Sequence, residues 1–194
     1  IRSTVKNYNG GAIYIAGENT NIEKSNFNSA RATNSRNKAL GGAIYVEGAN
    51  AVIKESDFDD CKASEGGGAI YADGHNHVIA NSTIIENKAV NSWGGALKHG
   101  DGTVTYQSNE FYNNTAIKAT AIYLNDPTCL INNTFNMNSA DEIATCIEEA
   151  DLSAVFDSNT FKIKGNKIAK GDYFGSTTVE DLKTIIENAN EGDI

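Results

Sequence analysis

The stretch Gly41-Gly42-Ala43-Ile44-Tyr45 recurs along the chain, and that recurrence limits the available folds more than any other feature. Copies stand at Gly10-Gly11-Ala12-Ile13-Tyr14, Gly67-Gly68-Ala69-Ile70-Tyr71 and Gly94-Gly95-Ala96-Leu97. The motif then decays to Ala119-Thr120-Ala121-Ile122-Tyr123 and Ala144-Thr145-Cys146-Ile147. Successive copies of the aliphatic marker lie 31, 26, 27, 25 and 25 residues apart. A fixed period of this size marks a repeat architecture, in which each unit buries its apolar face against the next.

A second motif follows at a fixed distance. Phe27, Phe58, Ile84, Phe111 and Phe161 lie 14 residues after their markers, and Phe135 lies 13 after Ile122. Two residues before each stands Ser25, Ser56, Ser82, Asn109, Asn133 or Asn159. Five before stands Ile22, Ile53, Ile79, Tyr106, Leu130 or Phe156; five after come Ala32, Ala63, Ala89, Ala116, Ala140 and Asn166. Every repeat therefore holds short apolar runs bounded by Gly, Asn, Asp and Ser, which are strand and turn signals, and none holds ten residues of helical periodicity. Strands that pair with their own copy in the next repeat make an all-β, right-handed parallel β-helix of about six coils. At a strand spacing of about 4.8 Å the rod is roughly 30 Å long.

Alternation assigns the faces. Ile13, Ile44, Ile70, Leu97, Ile122 and Ile147 point inward, as do Ile15, Val46, Ala72, His99, Leu124 and Glu149 two residues on. The residues between them point outward: Tyr14, Tyr45, Tyr71, Lys98, Tyr123 and Glu148. The paired glycines precede the strand, where the coil bends and no Cβ fits. The Ser/Asn column, with Asn87, Asn114 and Asn138, suits side chains that bond along the rod at its turns.

The repeat covers residues 1–168, and residues 169–194 form a tail. In the tail, Val179, Leu182, Ile185, Ile186 and Ala189 share one helical face behind a capping pattern at Thr177-Thr178-Val179-Glu180. The expectation is an amphipathic helix over about 178–190 that either caps the solenoid or opens a further β-helical block. The chain begins in mid-repeat, with Ser3-Thr4-Val5 resembling Ser82-Thr83-Ile84, so a piece of a longer protein is expected.

A net charge of −9 without a basic cluster argues against nucleic acid and anionic membranes as partners. No stretch has the length and apolarity of a membrane span. Cys61, Cys129 and Cys146 lack metal spacing, and Cys61 and Cys146 replace small residues in repeat columns, as buried small hydrophobes do. His75 and His77 with Asp73 lack a fourth ligand, so no metal and no other cofactor is expected.

The candidate binding residues are the outward tyrosines Tyr14, Tyr45, Tyr71 and Tyr123, and the basic insertion that lengthens the first interval, with Arg31, Arg36 and Lys38. The tyrosines either present ring faces to a ligand or stack on one another as scaffold. Trp93, at a corner, either stacks on a sugar or covers the coil edge. Asn81, Asn113 and Asn132 head Asn-x-Ser/Thr sequons, the acceptor pattern for glycosylation. No catalytic set emerges: Asp57, Asp59 and Asp60 cluster around Phe58 at a turn and neighbouring coils do not add to them, while the adjacent Glu47 and Asp73 are followed by Gly100 and Asn125 with no basic partner.

The GGA-aliphatic motif paired with FxxN, intact at Phe111-Asn114 and Phe135-Asn138, resembles the polymorphic outer-membrane proteins of chlamydiae. The GGAIY wording and the TVEDLKTIIENANEGDI tail look still more like the adhesin-like surface proteins of methanogenic archaea. That resemblance implies a secreted β-helix at the cell surface or cell wall, attachment to a glycan or a protein of another cell, and no enzymatic activity. A structural stalk is the alternative; a polysaccharide lyase or glycosidase rests on fold analogy alone.

Overall fold

The computed structural model describes residues 1–34, 36, 38–124, 128–137, 147–149, 155–163 and 166–170. Each coil consists of short strands at consecutive faces, and each strand pairs in parallel with its copy one coil on. The tyrosine sheet stacks Ile13–Ile15, Ile44–Val46, Ile70–Ala72, Leu97–His99, Ile122–Leu124 and Ile147–Glu149. The isoleucine sheet stacks Asn21–Glu23, Val52–Lys54, His77–Ala80, Val104–Gln107, Thr128–Ile131 and Val155–Asp157. The phenylalanine sheet stacks Asn26–Asn28, Asp57–Asp59, Thr83–Ile85, Glu110–Tyr112, Thr134–Met137 and Thr160–Ile163. A shorter sheet holds Thr4–Lys6, Arg31–Thr33, Lys62–Ala63 and Lys88–Ala89. The registers align the columns read from the sequence: Ile44 with Ile70, Ile53 with Ile79, Phe58 with Ile84, and Ala32 with Ala63.

The core is the set of inward columns. Phe27, Phe58, Phe111 and Phe135 are fully or almost fully buried, and their rings stack in pairs at 4.9 Å. Ile53, Ile79, Tyr106 and Leu130 form the facing column, all buried.

The corners are turned by single residues of left-handed backbone. One column of these runs Lys24, Glu55, Asn81, Ser108, Asn132 and Ser158, and another Ser29, Asp60, Glu86 and Asn113. Behind them run two polar ladders, as the Ser/Asn columns predict. The side-chain oxygens of Ser56, Ser82, Asn109, Asn133 and Asn159 each accept the backbone amide one coil earlier, at 2.9–3.2 Å. Asn109, Asn133 and Asn159 also donate to the carbonyls of Ile79, Tyr106 and Leu130. Asn87 and Asn114 repeat the pattern at the next corner. Amides and carbonyls that a turn would leave buried and unpaired are satisfied this way, which lets the coil be narrow.

The glycine pair has two separate tasks. Gly10, Gly41, Gly67 and Gly94 hold φ of 65–72°, and where the motif decays Ala119 holds 51°. The second glycine sits where neighbouring backbones touch: a Cβ on Gly42 would collide with the Gly68 carbonyl and lie 2.6 Å from the Lys62 nitrogen.

One strand departs from the pattern. Asn166 was expected to extend the alanine column, but Asn166–Lys170 pairs antiparallel with Thr160–Ile163 and covers that sheet edge. Covering an edge removes a template for further pairing. The expected helix at 178–190, Asn138 and Cys146 lie outside the described residues.

Candidate functional site

Along the tyrosine sheet, three of the four candidate rings stack on one another. Tyr14 and Tyr45 stack at 5.1 Å and 12°, and Tyr45 and Tyr71 at 5.1 Å and 4°. Each inner face is covered by the next ring, so the ladder spends its faces on itself. Tyr14, at the end, is 51% exposed, and its hydroxyl donates to Glu47, which with burial pushes its pKa up to about 12. Tyr123 keeps its outward register position opposite Lys98 but is covered there. It is only 7% exposed, because Trp93 lies over it at 4.6 Å and 33°.

The column breaks at the fourth coil. Lys98 stands in register between Tyr71 and Tyr123. Two residues on, Gly100 takes the place held by Glu47 and Asp73 in the coils before. Lys98 does not fill the missing ring's place. Its Nζ sits 5.5 Å from the centroid of Trp93 and 5.8 Å from that of Tyr123, and a Cβ on Gly66 would meet its side chain. Burial holds the Lys98 amine below the usual lysine range. Burial, followed by the charge of Asp73, raises the Tyr71 phenol.

These departures open a cleft of about 230 Å³ lined by Tyr71, Asp73, Trp93, Lys98, Asp101 and Tyr123, with His99 and Gly100 at its floor. Asp73 is fixed there, since its Oδ1 accepts the amides of Gly74 at 3.2 Å and Asp101 at 3.1 Å. Of the predicted tyrosines the cleft takes in Tyr71 and Tyr123, it includes the corner residue Trp93, and it adds Lys98 and Asp101, which were not candidate binding residues. Their signal was present: three columns depart from their own pattern within one coil.

The other predicted residues lie elsewhere. Arg31 bridges to Asp60 at 2.6 Å and donates to the Asp60 carbonyl, which holds the Asp60 carboxyl below its ordinary range and ties two coils together. Arg36 and Lys38 are exposed in the loop after Thr33, and their amides donate to the Asn34 side chain. Lys38 borders a groove with Tyr8 and Tyr14 at the first coil, away from the cleft. Asn81, Asn113 and Asn132 are all exposed at left-handed corners.

His75 and His77 do not share a face. His75 is exposed in the turn, whereas His77 is buried; its Nδ1 accepts the Ala51 amide at 3.2 Å and its Nε2 donates to the Asp73 carbonyl at 2.7 Å. Both nitrogens of His77 are thereby used in closing a corner. Among the described residues no group of three His, Cys, Asp or Glu side chains is placed to hold a metal. Cys61 is buried in the Ala30 column, and burial pushes its thiol up to about 11, the environment of an inert structural cysteine.

A family model for the right-handed β-helix region matches residues 1–168. The chain belongs to the right-handed β-helix family. This family includes enzymes and non-enzymes, and its fold serves adhesins, pectate lyases and glycosidases. No curated protein and no solved structure matches this β-helix chain. Family membership therefore fixes the scaffold and leaves the function to the residues that the scaffold does not consume.

Proposed function

We propose that this β-helix is an adhesin-like module of a cell-surface or secreted protein, which attaches to a glycan or protein of another cell and performs no catalysis. The supporting observation is how the residues divide. The recurring columns are occupied in joining coils: phenylalanines in the core, Ser and Asn in ladders, tyrosines in a stack. The residues that do not recur, Trp93, Lys98 and Gly100, collect at one cleft. A regular rod that carries a chemically distinct recess is suited to recognition.

A glycosidase reading has less support. Its two carboxyl groups would flank a scissile bond. In the cleft, Asp73 Oδ1 already accepts the amides of Gly74 and Asp101, which holds this carboxylate as an acceptor rather than as a proton donor. The alternative of an inert stalk draws on the same regular coils.

The test is binding of the labelled chain to a glycan array and to whole microbial cells, alongside an assay for newly released reducing ends. Saturable binding without release is the expected result. A folded chain that binds neither glycans nor cells supports the stalk, and release of reducing ends overturns the non-catalytic reading.

A further inference from the structure

The tyrosine stack is missing one ring. Rungs of a parallel sheet are about 4.8 Å apart, and Tyr45 and Tyr71 follow that spacing. At the next rung Lys98 leans away over Gly66 toward Trp93. The face of Tyr71 turned to the fourth coil therefore borders the cleft, where Tyr45 covers its other face. Polar atoms converge at the same place because residue 100 has no side chain. The position a Cβ would take at Gly100 is 2.5 Å from Tyr71 Oη and 2.8 Å from Asp73 Oδ1.

We propose that this vacant rung is a binding site for a single neutral pyranose residue of a surface glycan, stacked on Tyr71 and hydrogen-bonded by Lys98 and Asp73. The inference rests on the attachment reading and names the ligand class of its cleft. Three features carry it. The first is size: about 230 Å³ is smaller than a drug-sized pocket of roughly 300–1,000 Å³ and is on the scale of one sugar ring.

The second is the mixed lining. A pyranose has an apolar C–H face and a rim of hydroxyls; an aromatic face takes the former, while an ammonium and a carboxylate take the latter as donor and acceptor. The third is charge. The cleft lining places two carboxylates, Asp73 and Asp101, beside Lys98, with Lys118 Nζ 5.9 Å from the Trp93 ring at its wall, so a uronate or sulfated sugar meets two close carboxylates that a neutral sugar does not. The partly desolvated Lys98 amine, held below its ordinary range, gains most from new acceptors.

Trp93 is the chain's single tryptophan and lines the cleft, so its fluorescence reports on the site directly. The experiment titrates the whole chain with the methyl glycosides of glucose, galactose, mannose and N-acetylglucosamine, following Trp93 emission, with methyl glucuronide as the anionic control. Lys98→Tyr is the decisive variant, because it supplies the missing ring while keeping the reporter. Lys98→Met is its partner, removing the charge at similar length.

The expected result is a saturable emission change with at least one neutral glycoside and none with the glucuronide. Lys98→Tyr should weaken it at least about tenfold while keeping or raising the melting temperature, and Lys98→Met should weaken it less. Unchanged affinity in a folded Lys98→Tyr variant, or a preference for glucuronide, overturns the proposal. If cells bind the wild type and Lys98→Tyr equally, the attachment reading stands and the cleft assignment falls. If the folded wild type binds no cells and no glycoside, both fall.

Discussion

Tyr106 stands in the column of Ile22, Ile53, Ile79, Leu130 and Phe156, and replacing it by phenylalanine should stabilise the protein. Its side chain is fully buried, and among the described residues its hydroxyl has no hydrogen-bond partner. A buried hydroxyl without a partner costs about 1–3 kcal/mol relative to leaving it in water. Removing the oxygen leaves a void of roughly 10–15 Å³, and at about 24 cal/mol per Å³ that returns only about 0.3 kcal/mol. Tyr106→Phe should therefore gain about 1–2 kcal/mol, or roughly 2–8 °C in melting temperature for a chain of this length.

The gain should also grow above pH 10. Burial raises the Tyr106 pKa, so in alkali the unfolded chain loses this proton before the folded one does. Stability then falls with rising pH, and the variant lacks that loss. Thermal unfolding of both proteins at pH 7 and pH 10.5 measures both effects. An unchanged or lower melting temperature at pH 7 would refute the reasoning, because it would mean that the hydroxyl has a partner, such as a water held between coils.

Further outcomes follow from the glycines, the buried histidine and the sequons. Gly42→Ala should destabilise by on the order of 3 kcal/mol or more, since its Cβ meets backbone on two sides, whereas Ala119→Gly should gain about 1 kcal/mol by relieving left-handed strain; denaturant titration of both variants tests the pair. His77 has its pKa lowered, chiefly by burial, from an ordinary 6.5, so the unfolded chain takes the proton first and stability is lost as pH falls through that value. His77→Gln should flatten the decline in melting temperature between pH 8 and 5.5, and an unaltered slope would show that His77 does not carry it. Expression in a host with N-glycosylation should modify Asn81, Asn113 and Asn132, all exposed at corners, each addition vanishing in the matching Asn→Gln variant by mass spectrometry. Complete absence of modification on secreted protein would count against that assignment.

Most of the scaffold was legible because a solenoid writes each structural requirement several times. Among the described residues the inward columns, the Ser/Asn ladders and the glycine corners stand where alternation and period put them. Legibility failed where a residue is defined by its neighbours one coil away. Tyr123 shares its column with three stacked tyrosines, yet Trp93, at a corner 30 positions earlier, covers it. His75 and His77 read as a pair by spacing, but the turn between Asp73 and His77 sends one outward and the other in. Asn166 fits the alanine column by count, but pairing with the preceding strand reverses the chain there.

The same distinction bears on where binding sites arise in a β-helix. A substitution within one column is felt one coil up and one coil down, because the rungs are in register. Lys98 in place of tyrosine therefore uncovers a face of Tyr71, and Gly100 brings the polar atoms of Tyr71 and Asp73 to one point. Trp93 and Gly66, each five residues before the tyrosine-column position of its own coil, take up the displaced lysine. None of these four changes is remarkable as a residue type. Together they cost the rod one stacking contact, of about 0.5–1.5 kcal/mol, and leave its hydrogen-bonded ladders untouched. A solenoid can in this way acquire a recess without altering its fold, and the coil at which several columns lapse together is the place to look for one.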